Sequence, residues 1–166
     1  MDWHTALILA HIVGTVLGVG GATFAEVHLI RALRNGAMSV DENSIMQTTY
    51  TVIRVGFFLL VLSGFGFLIL ARLEDNTTWF YSIKLWAKLG IVGLIGVNAA
   101  LLQLRWIPLL WGSAISLVSW YTALVLGVLG RGEYSFFWIY VVYASAIVVV
   151  YFILRTIHAR YVPHKH

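Results

Sequence analysis

The chain has 166 residues, of which 60% are hydrophobic and only 11% are charged, and its formal net charge is +4 at pH 7. This composition excludes an ordinary soluble domain, in which about 25% of residues are charged. The absence of cysteine excludes disulfides and thiolate metal sites. The basic residues lie near the ends of apolar segments, so we expect them to orient the chain in a lipid bilayer and predict no nucleic-acid partner.

Five long apolar segments predict five transmembrane helices. We place them at about residues 3–33, 44–71, 79–102, 107–129 and 134–157. Each is longer than the ~20 residues that cross a hydrocarbon core of about 30 Å. None shows the period-two alternation that is typical of membrane strands. The sequence therefore predicts a single all-α integral membrane domain over residues 1–166.

Helix-capping signals separate these segments. Ser39 and Glu42 fit a capping box at the start of the second helix. Asn, Thr and Thr at 76–78 can cap the third helix, and Pro108 suits the first turn of the fourth, where its missing N–H is not needed.

Basic residues are distributed unevenly between the two sides of the predicted bundle. The side of the N-terminus has Arg72 and Arg131, whereas the opposite side has Arg31, Arg34, Arg105, Arg155, Arg160 and Lys165. Basic loops remain in the cytoplasm. We therefore expect the N-terminus outside and the C-terminus in the cytoplasm, in the inner membrane of a bacterium.

Ionisable residues inside the spans mark candidate sites, because a charge at the bilayer centre costs about 2.5–3.5 kcal/mol on insertion scales. His4 and His11 are seven residues apart and share one face of the first helix. Lys84 and Lys88 are one turn apart on the third helix. Counting from the helix ends puts His11 and Lys88 at similar depth. These four residues form a predicted outer cluster.

The outer cluster has excess positive charge and no carboxylate of its own, which favours an anionic ligand. A neutral imidazole is a natural iron ligand, and the ammonium groups would attract haem propionates, a quinone, a semiquinone or a carboxylated porphyrin. We predict haem or another porphyrin at this site, with His11 as the metal ligand and with His4, Lys84 and Lys88 as further cofactor contacts.

A second, inner cluster comprises Glu26, His28 and Arg54. The simplest prediction is an ion pair between Glu26 and Arg54 that fixes the first two helices. The functional alternative is a proton or ligand site, in which Arg54 contacts the cofactor. A further alternative is a metal site formed by His28 and His158 near the cytoplasmic face.

Glycines at 14, 18, 20 and 21 lie along the first helix. The GxxxG spacing of the first two is typical of helices that approach each other closely. An equally open interpretation is that this glycine face makes room for a flat ligand.

Three short motifs at residues 10–14, 51–54 and 86–92, together with the glycines at 20–21 and the Ser-Gly pair at 63–64, resemble those of small bacterial membrane proteins. This group includes the copper-resistance D family and the J-type protoporphyrinogen oxidases, and the resemblance covers about residues 4–102. It implies a four-helix core plus one helix, with His11 as a haem or metal contact and Lys88 facing the same cavity. It also implies haem b and electron transfer to an acceptor.

The chain departs from both families within this resemblance. Thr-Phe-Ala-Glu stands at 23–26, where the porphyrin-oxidising family has arginine and proline, and the Met- and Cys-rich signature of copper handling is missing.

Two functions follow as hypotheses. The first is a haem b protein in electron transfer or in porphyrin or quinone redox chemistry, and thus a membrane oxidoreductase if it is an enzyme. The alternative is a non-redox membrane module, either a small permease or an assembly subunit. For the chain as a whole we expect the lipid bilayer as a partner, together with a second copy of the chain or a redox protein.

Overall fold

A computed structural model describes residues 2–34, 39–75, 80–129 and 135–161. Within these ranges the chain forms five α-helices: α1 Trp3–Arg34, α2 Val40–Leu73, α3 Ile83–Gln103, α4 Leu109–Val128 and α5 Phe136–Tyr161. Each contains a stretch that is long and apolar enough to cross a membrane. In the described residues, the prediction of an all-α chain with five helices that are long and apolar enough to span a membrane is therefore confirmed.

The capping box explains why α2 begins earlier than predicted. The Glu42 backbone N–H donates to Ser39 Oγ at 3.1 Å, and the Ser39 N–H donates to Glu42 Oε2 at 2.9 Å. The predicted box is thus confirmed, and α2 starts at residue 40 instead of 44. Helix α3 starts at 83 instead of 79, and α5 continues to 161 instead of 157. The predicted cap at 76–78 lies outside the described residues.

Asp2 caps the start of α1. Its Oδ1 accepts the Thr5 backbone N–H at 3.1 Å. The Thr5 side chain and this N–H both donate to the carboxylate and hold the pKa of Asp2 below its ordinary value. An anionic cap also suits the partial positive charge of a helix N-terminus.

Neighbouring helices run in opposite directions, so the bundle has two ends. We call the end with Asp2 the first end and the end with the α3–α4 connection the second end. Helix α4 contacts α1, α3 and α5, and α5 also contacts α1 and α3. Helix α2 packs chiefly along α1. The centre of this arrangement is α4, whose Ser119 and Trp120 are fully buried.

Helices α1 and α2 touch backbone to backbone. A Cβ on Gly14 would lie 2.7 Å from Leu60 N, and a Cβ on Gly56 would lie 2.8 Å from Gly18 N. Since these neighbours are backbone atoms, no side-chain rotation relieves the contact. The close packing that the GxxxG spacing predicts is therefore present.

Side chains fill the space beside the α1 glycines. The Trp120 ring occupies the place that a side chain on Gly18 would need, and a Cβ on Gly21 would lie 2.5 Å from Ile53 Cγ1. At these positions, as at Gly14, helices α2 and α4 already cover α1. The idea that this face holds a flat ligand is therefore wrong there; only Gly20 faces open space.

The apolar core contains residues from all five helices. Its buried members include Ala22 on α1, Leu60 on α2, Ile91 and Ile95 on α3, Trp120 on α4 and Tyr143 on α5. Side-chain hydrogen bonds join the inner helices: Ser119 Oγ lies 2.8 Å from the Tyr143 hydroxyl, and Asn98 Nδ2 donates to the Gly112 carbonyl at 3.0 Å.

Candidate functional site

The imidazole of His11 is held against α2 by a hydrogen bond to Ser63. His11 Nδ1 lies 2.9 Å from Ser63 Oγ. The Ser63 hydroxyl also lies 2.6 Å from the Leu59 carbonyl and 3.1 Å from the Leu60 carbonyl. A serine hydroxyl has one proton, and the backbone carbonyls take it. Ser63 Oγ therefore accepts from His11, so Nδ1 carries the imidazole proton and Nε2 carries the lone pair.

Phe67 supports both histidines of α1. It lies one turn beyond Ser63 on α2, and its ring meets the His11 ring edge to face, with centroids 5.7 Å apart. His4 meets the same ring at 6.0 Å. His11 is half-buried and His4 is exposed. The His11 ring is thus fixed by Ser63 and Phe67, whereas His4 has the aromatic contact alone and interacts electrostatically with Asp2.

Lys88 extends this site onto α3. Its ammonium interacts electrostatically with His11 and with Lys84. Lys84 is oriented towards α4, where its Nζ donates to the Leu129 carbonyl. Lys88 thus lies within electrostatic range of His11, His4 shares the Phe67 ring with His11, and Lys84 lies at the C-terminal end of α4.

This arrangement would suit a cofactor that itself supplies most of the ligands of its metal ion. Within the described residues, no group of three or more His, Asp or Glu side chains is placed to hold a metal ion. Haem requires only axial ligands from the protein, because the porphyrin supplies four nitrogens. The Nε2 lone pair of His11 would be one such ligand if the chain held a haem.

Glu26 lies in the interior between α1 and α4. It is only 7% exposed, and its carboxyl is hydrogen-bonded by the Ser113 side chain of α4. Tyr50 of α2 interacts with it electrostatically. Its Oε1 is buried and has no hydrogen-bond partner among the described residues. This carboxyl is therefore enclosed but only partly satisfied.

The predicted ion pair between Glu26 and Arg54 is not formed in the part of the chain that the structure describes. Arg54 is exposed on α2. The contact between Gly21 and Ile53 shows the reason, since it turns Ile53 towards α1, and the next residue points about 100° further round the helix. The prediction of this pair was wrong because sequence depth alone does not give helix rotation.

His28 and His158 lie in the second half of α1 and of α5. The His28 ring stacks on Phe24 of its own helix, with centroids 6.3 Å apart. His158 Nε2 is buried and has no hydrogen-bond partner within the described ranges. A metal site that joins the two imidazoles stays a prediction.

Sequence reasoning missed Ser63 and Phe67 as neighbours of His11. The signal that could have found Ser63 is the glycine pattern. Backbone contact of Gly14 with Leu60 fixes the antiparallel register of α1 and α2. His11 lies three residues before Gly14 and Ser63 lies three residues after Leu60, so the same register puts His11 opposite Ser63.

No protein-family model, curated protein or solved structure matches this chain. The resemblance to the copper-resistance D and protoporphyrinogen oxidase group therefore stays a prediction. The fold defines the class of the protein, which is a multi-pass membrane protein with five apolar helices long enough to span a bilayer.

Proposed function

We propose that this chain binds haem b in the membrane, where His11 Nε2 would hold the iron, and acts in electron transfer or in porphyrin or quinone redox chemistry. One observation carries the proposal: the hydrogen bond between His11 Nδ1 and Ser63 Oγ. Metal-ligating histidines almost always donate their second ring N–H to a fixed acceptor, which sets the tautomer and the ring orientation. His11 has this arrangement.

Lys88 supplies the charge that an anionic cofactor requires. Its ammonium already interacts with His11, so a propionate near it would sit beside the ligating ring. Lys84 adds positive charge one turn closer to the first end, and His4 borders the site on Phe67. Arg54 lies nine residues from Ser63, which is about 14 Å along α2 at 1.5 Å per residue. Because of this distance, Arg54 does not belong to the proposed site.

The haem would supply one-electron redox chemistry at its iron. The chain's own part is to orient the His11 ring, to exclude water with Phe67 and to place a cation near the carboxylates. We further propose that the N-terminus is extracytoplasmic and that the protein lies in a bacterial inner membrane, on the basis of its uneven basic residues. The site then faces the outer half of the bilayer, where a quinone or a redox protein would exchange electrons.

The test is a titration of purified protein in detergent with haemin, followed by absorption spectra before and after reduction with dithionite. We expect saturable binding with a Soret band and with sharp visible bands in the reduced state. His11→Ala should abolish these bands. His28→Ala is the matched control, because His28 stacks on Phe24 away from Ser63, and it should bind haem like the wild type. Absence of saturable binding by the wild-type chain would overturn the proposal, as would unchanged binding by His11→Ala.

A second candidate function is a small permease, which the environment of Glu26 favours. Ionisable residues within membrane spans are rare and mark substrate or ion paths in many transporters, and Glu26 Oε1 is buried with no partner in the described chain. Flux of protons or Na⁺ into proteoliposomes that is lost in Glu26→Gln would support this function. Equal flux with empty liposomes would reject it.

A further inference from the structure

An open groove runs between α4 and α5 from the first end towards the middle of the bundle. Its volume is about 720 Å³. The walls include Leu117, Val125 and Leu129 on α4 and Trp138, Val142 and Val150 on α5. Towards the second end the groove closes, because Trp111 stacks on Tyr151 with ring centroids 3.9 Å apart. The groove is therefore an apolar slot with one closed end.

The length of the groove matches one leaflet of a bilayer. Leu129 follows Leu117 by twelve positions, which corresponds to about 18 Å at a helical rise of 1.5 Å per residue. Half of a hydrocarbon core of about 30 Å is close to this length. A single extended acyl chain that starts at the first end would thus lie along the groove and stop near the midplane.

Positive charge marks the first end of the groove. Leu129, a wall residue, accepts a hydrogen bond at its carbonyl from Lys84 Nζ. Ser135, another wall residue, directly precedes α5. The first backbone N–H groups of a helix carry a partial positive charge, which stabilises an anion in front of the helix N-terminus. A cation and a helix N-terminus therefore stand at the mouth of an apolar slot.

We propose that this groove binds an anionic phospholipid from the bilayer, with one acyl chain between α4 and α5 and the phosphate beside Lys84 and the first turn of α5. The charge at the mouth selects an anionic headgroup over a zwitterionic one. The walls explain why the ligand is a lipid and not a soluble anion, since nearly all of them are apolar. The walls of this groove do not include His11 or Ser63, and Lys84 is the one residue that the lipid site shares with the proposed haem site.

Native mass spectrometry of the full chain tests the headgroup. The protein is released from detergent with equal amounts of phosphatidylglycerol and phosphatidylcholine of the same acyl composition. We expect one phosphatidylglycerol to be retained in preference. Lys84→Gln should lower this preference about fivefold, the factor that corresponds to about 1 kcal/mol per basic side chain at a membrane surface. Arg72→Gln removes a cation from the exposed end of α2 and should leave the preference unchanged.

A pair of tryptophan substitutions tests the groove itself. Val142 lines the groove and Val149 does not, although both are exposed on α5, at 65% and 56%. Val142→Trp should fill the slot and abolish lipid retention, whereas Val149→Trp should retain lipid like the wild type. Thermal unfolding of both variants in detergent checks that the bundle remains intact. Equal retention of the two phospholipids by the wild type, or equal lipid binding by the two tryptophan variants, would overturn the proposal.

Discussion

Helix α1 has two inward-facing polar side chains in contrasting environments, the half-buried His11 and the buried Glu26. His11 faces α2, where a serine hydroxyl and an aromatic edge fix its ring. Glu26 faces α4, where Ser113 contacts one part of the carboxyl and Oε1 has no partner among the described residues. Both residues are costly in an apolar interior, yet only the imidazole is held in a defined orientation.

This contrast shows what makes a polar side chain inside a membrane protein able to bind a cofactor or an ion. An unsatisfied polar group in an apolar interior costs free energy whether or not it has a function. A group whose hydrogen bonds leave one lone pair directed away, as at His11, is ready to bind. In a carboxyl such as that of Glu26, the oxygen without a partner among the described residues can still bind a proton, a water molecule or a cation.

The strongest test breaks the register that creates the His11 site. Gly56→Ala places a methyl group 2.8 Å from Gly18 N, so α1 and α2 must separate. We expect thermal unfolding in detergent to show a loss of about 1–3 kcal/mol, as for other overpacked sites. Gly64→Ala is the matched control, because a Cβ there meets nothing within 4 Å, and it should leave stability unchanged or raise it. A loss of equal size in both variants would contradict the backbone contact.

The second test removes the group that orients His11. Ser63→Ala deletes the acceptor for Nδ1, and loss of such an outer contact typically lowers metal affinity 10–100-fold. Haemin titration should show a fall of this size. Ser145→Ala is the control, since its hydroxyl bonds only to the Val141 carbonyl on an exposed face of α5. Unchanged affinity in Ser63→Ala would mean that His11 is not the ligand.

The third test asks whether Glu26 and Arg54 stabilise the fold as an ion pair. Arg54→Gln should change the unfolding free energy by less than about 0.5 kcal/mol, because the side chain is exposed and surface changes are usually this small. Glu26→Gln keeps the shape of the side chain and should not lower stability either. If the two residues were a buried pair, removal of one partner would cost about 3–5 kcal/mol. Unfolding measurements on both variants and the double variant separate these cases.

The smallest expected effect concerns the start of α1 beside His4. The folded-state pKa of Asp2 is below its ordinary value of 3.8, owing to the Thr5 side chain and then the Thr5 N–H. A carboxyl with a lowered pKa stabilises the fold above its unfolded pKa, and this contribution is lost as pH falls through the folded pKa. Protection of the Thr5 amide from hydrogen exchange, corrected for intrinsic rates, should therefore be constant near neutrality and fall only in acid below 3.8. Asp2→Asn should remove that pH dependence, and an unchanged profile in this variant would exclude the cap.

Local sequence signals predicted the features that depend on short stretches of chain. The five apolar segments, the Ser39 and Glu42 capping box and the close approach at Gly14 all follow from neighbouring residues. The lateral arrangement was less accessible. Counting residues along each helix predicted similar depths for His11 and Lys88, but it also predicted an ion pair between Glu26 and Arg54. That pair is not formed because depth along a helix does not report which way a side chain points around the helix axis.

The sequence alone predicts apolar helices long enough to cross a bilayer, since burial of about 20 apolar residues in lipid leaves the backbone of a helical segment no other way to satisfy its hydrogen bonds. It also determined which few polar residues lie inside. Only the tertiary structure decided their partners: Ser63 for His11, Ser113 for Glu26 and Leu129 for Lys84. The physical reason is that these partners come from other helices, and helix rotation and register are set by glycine contacts and core packing across the whole bundle.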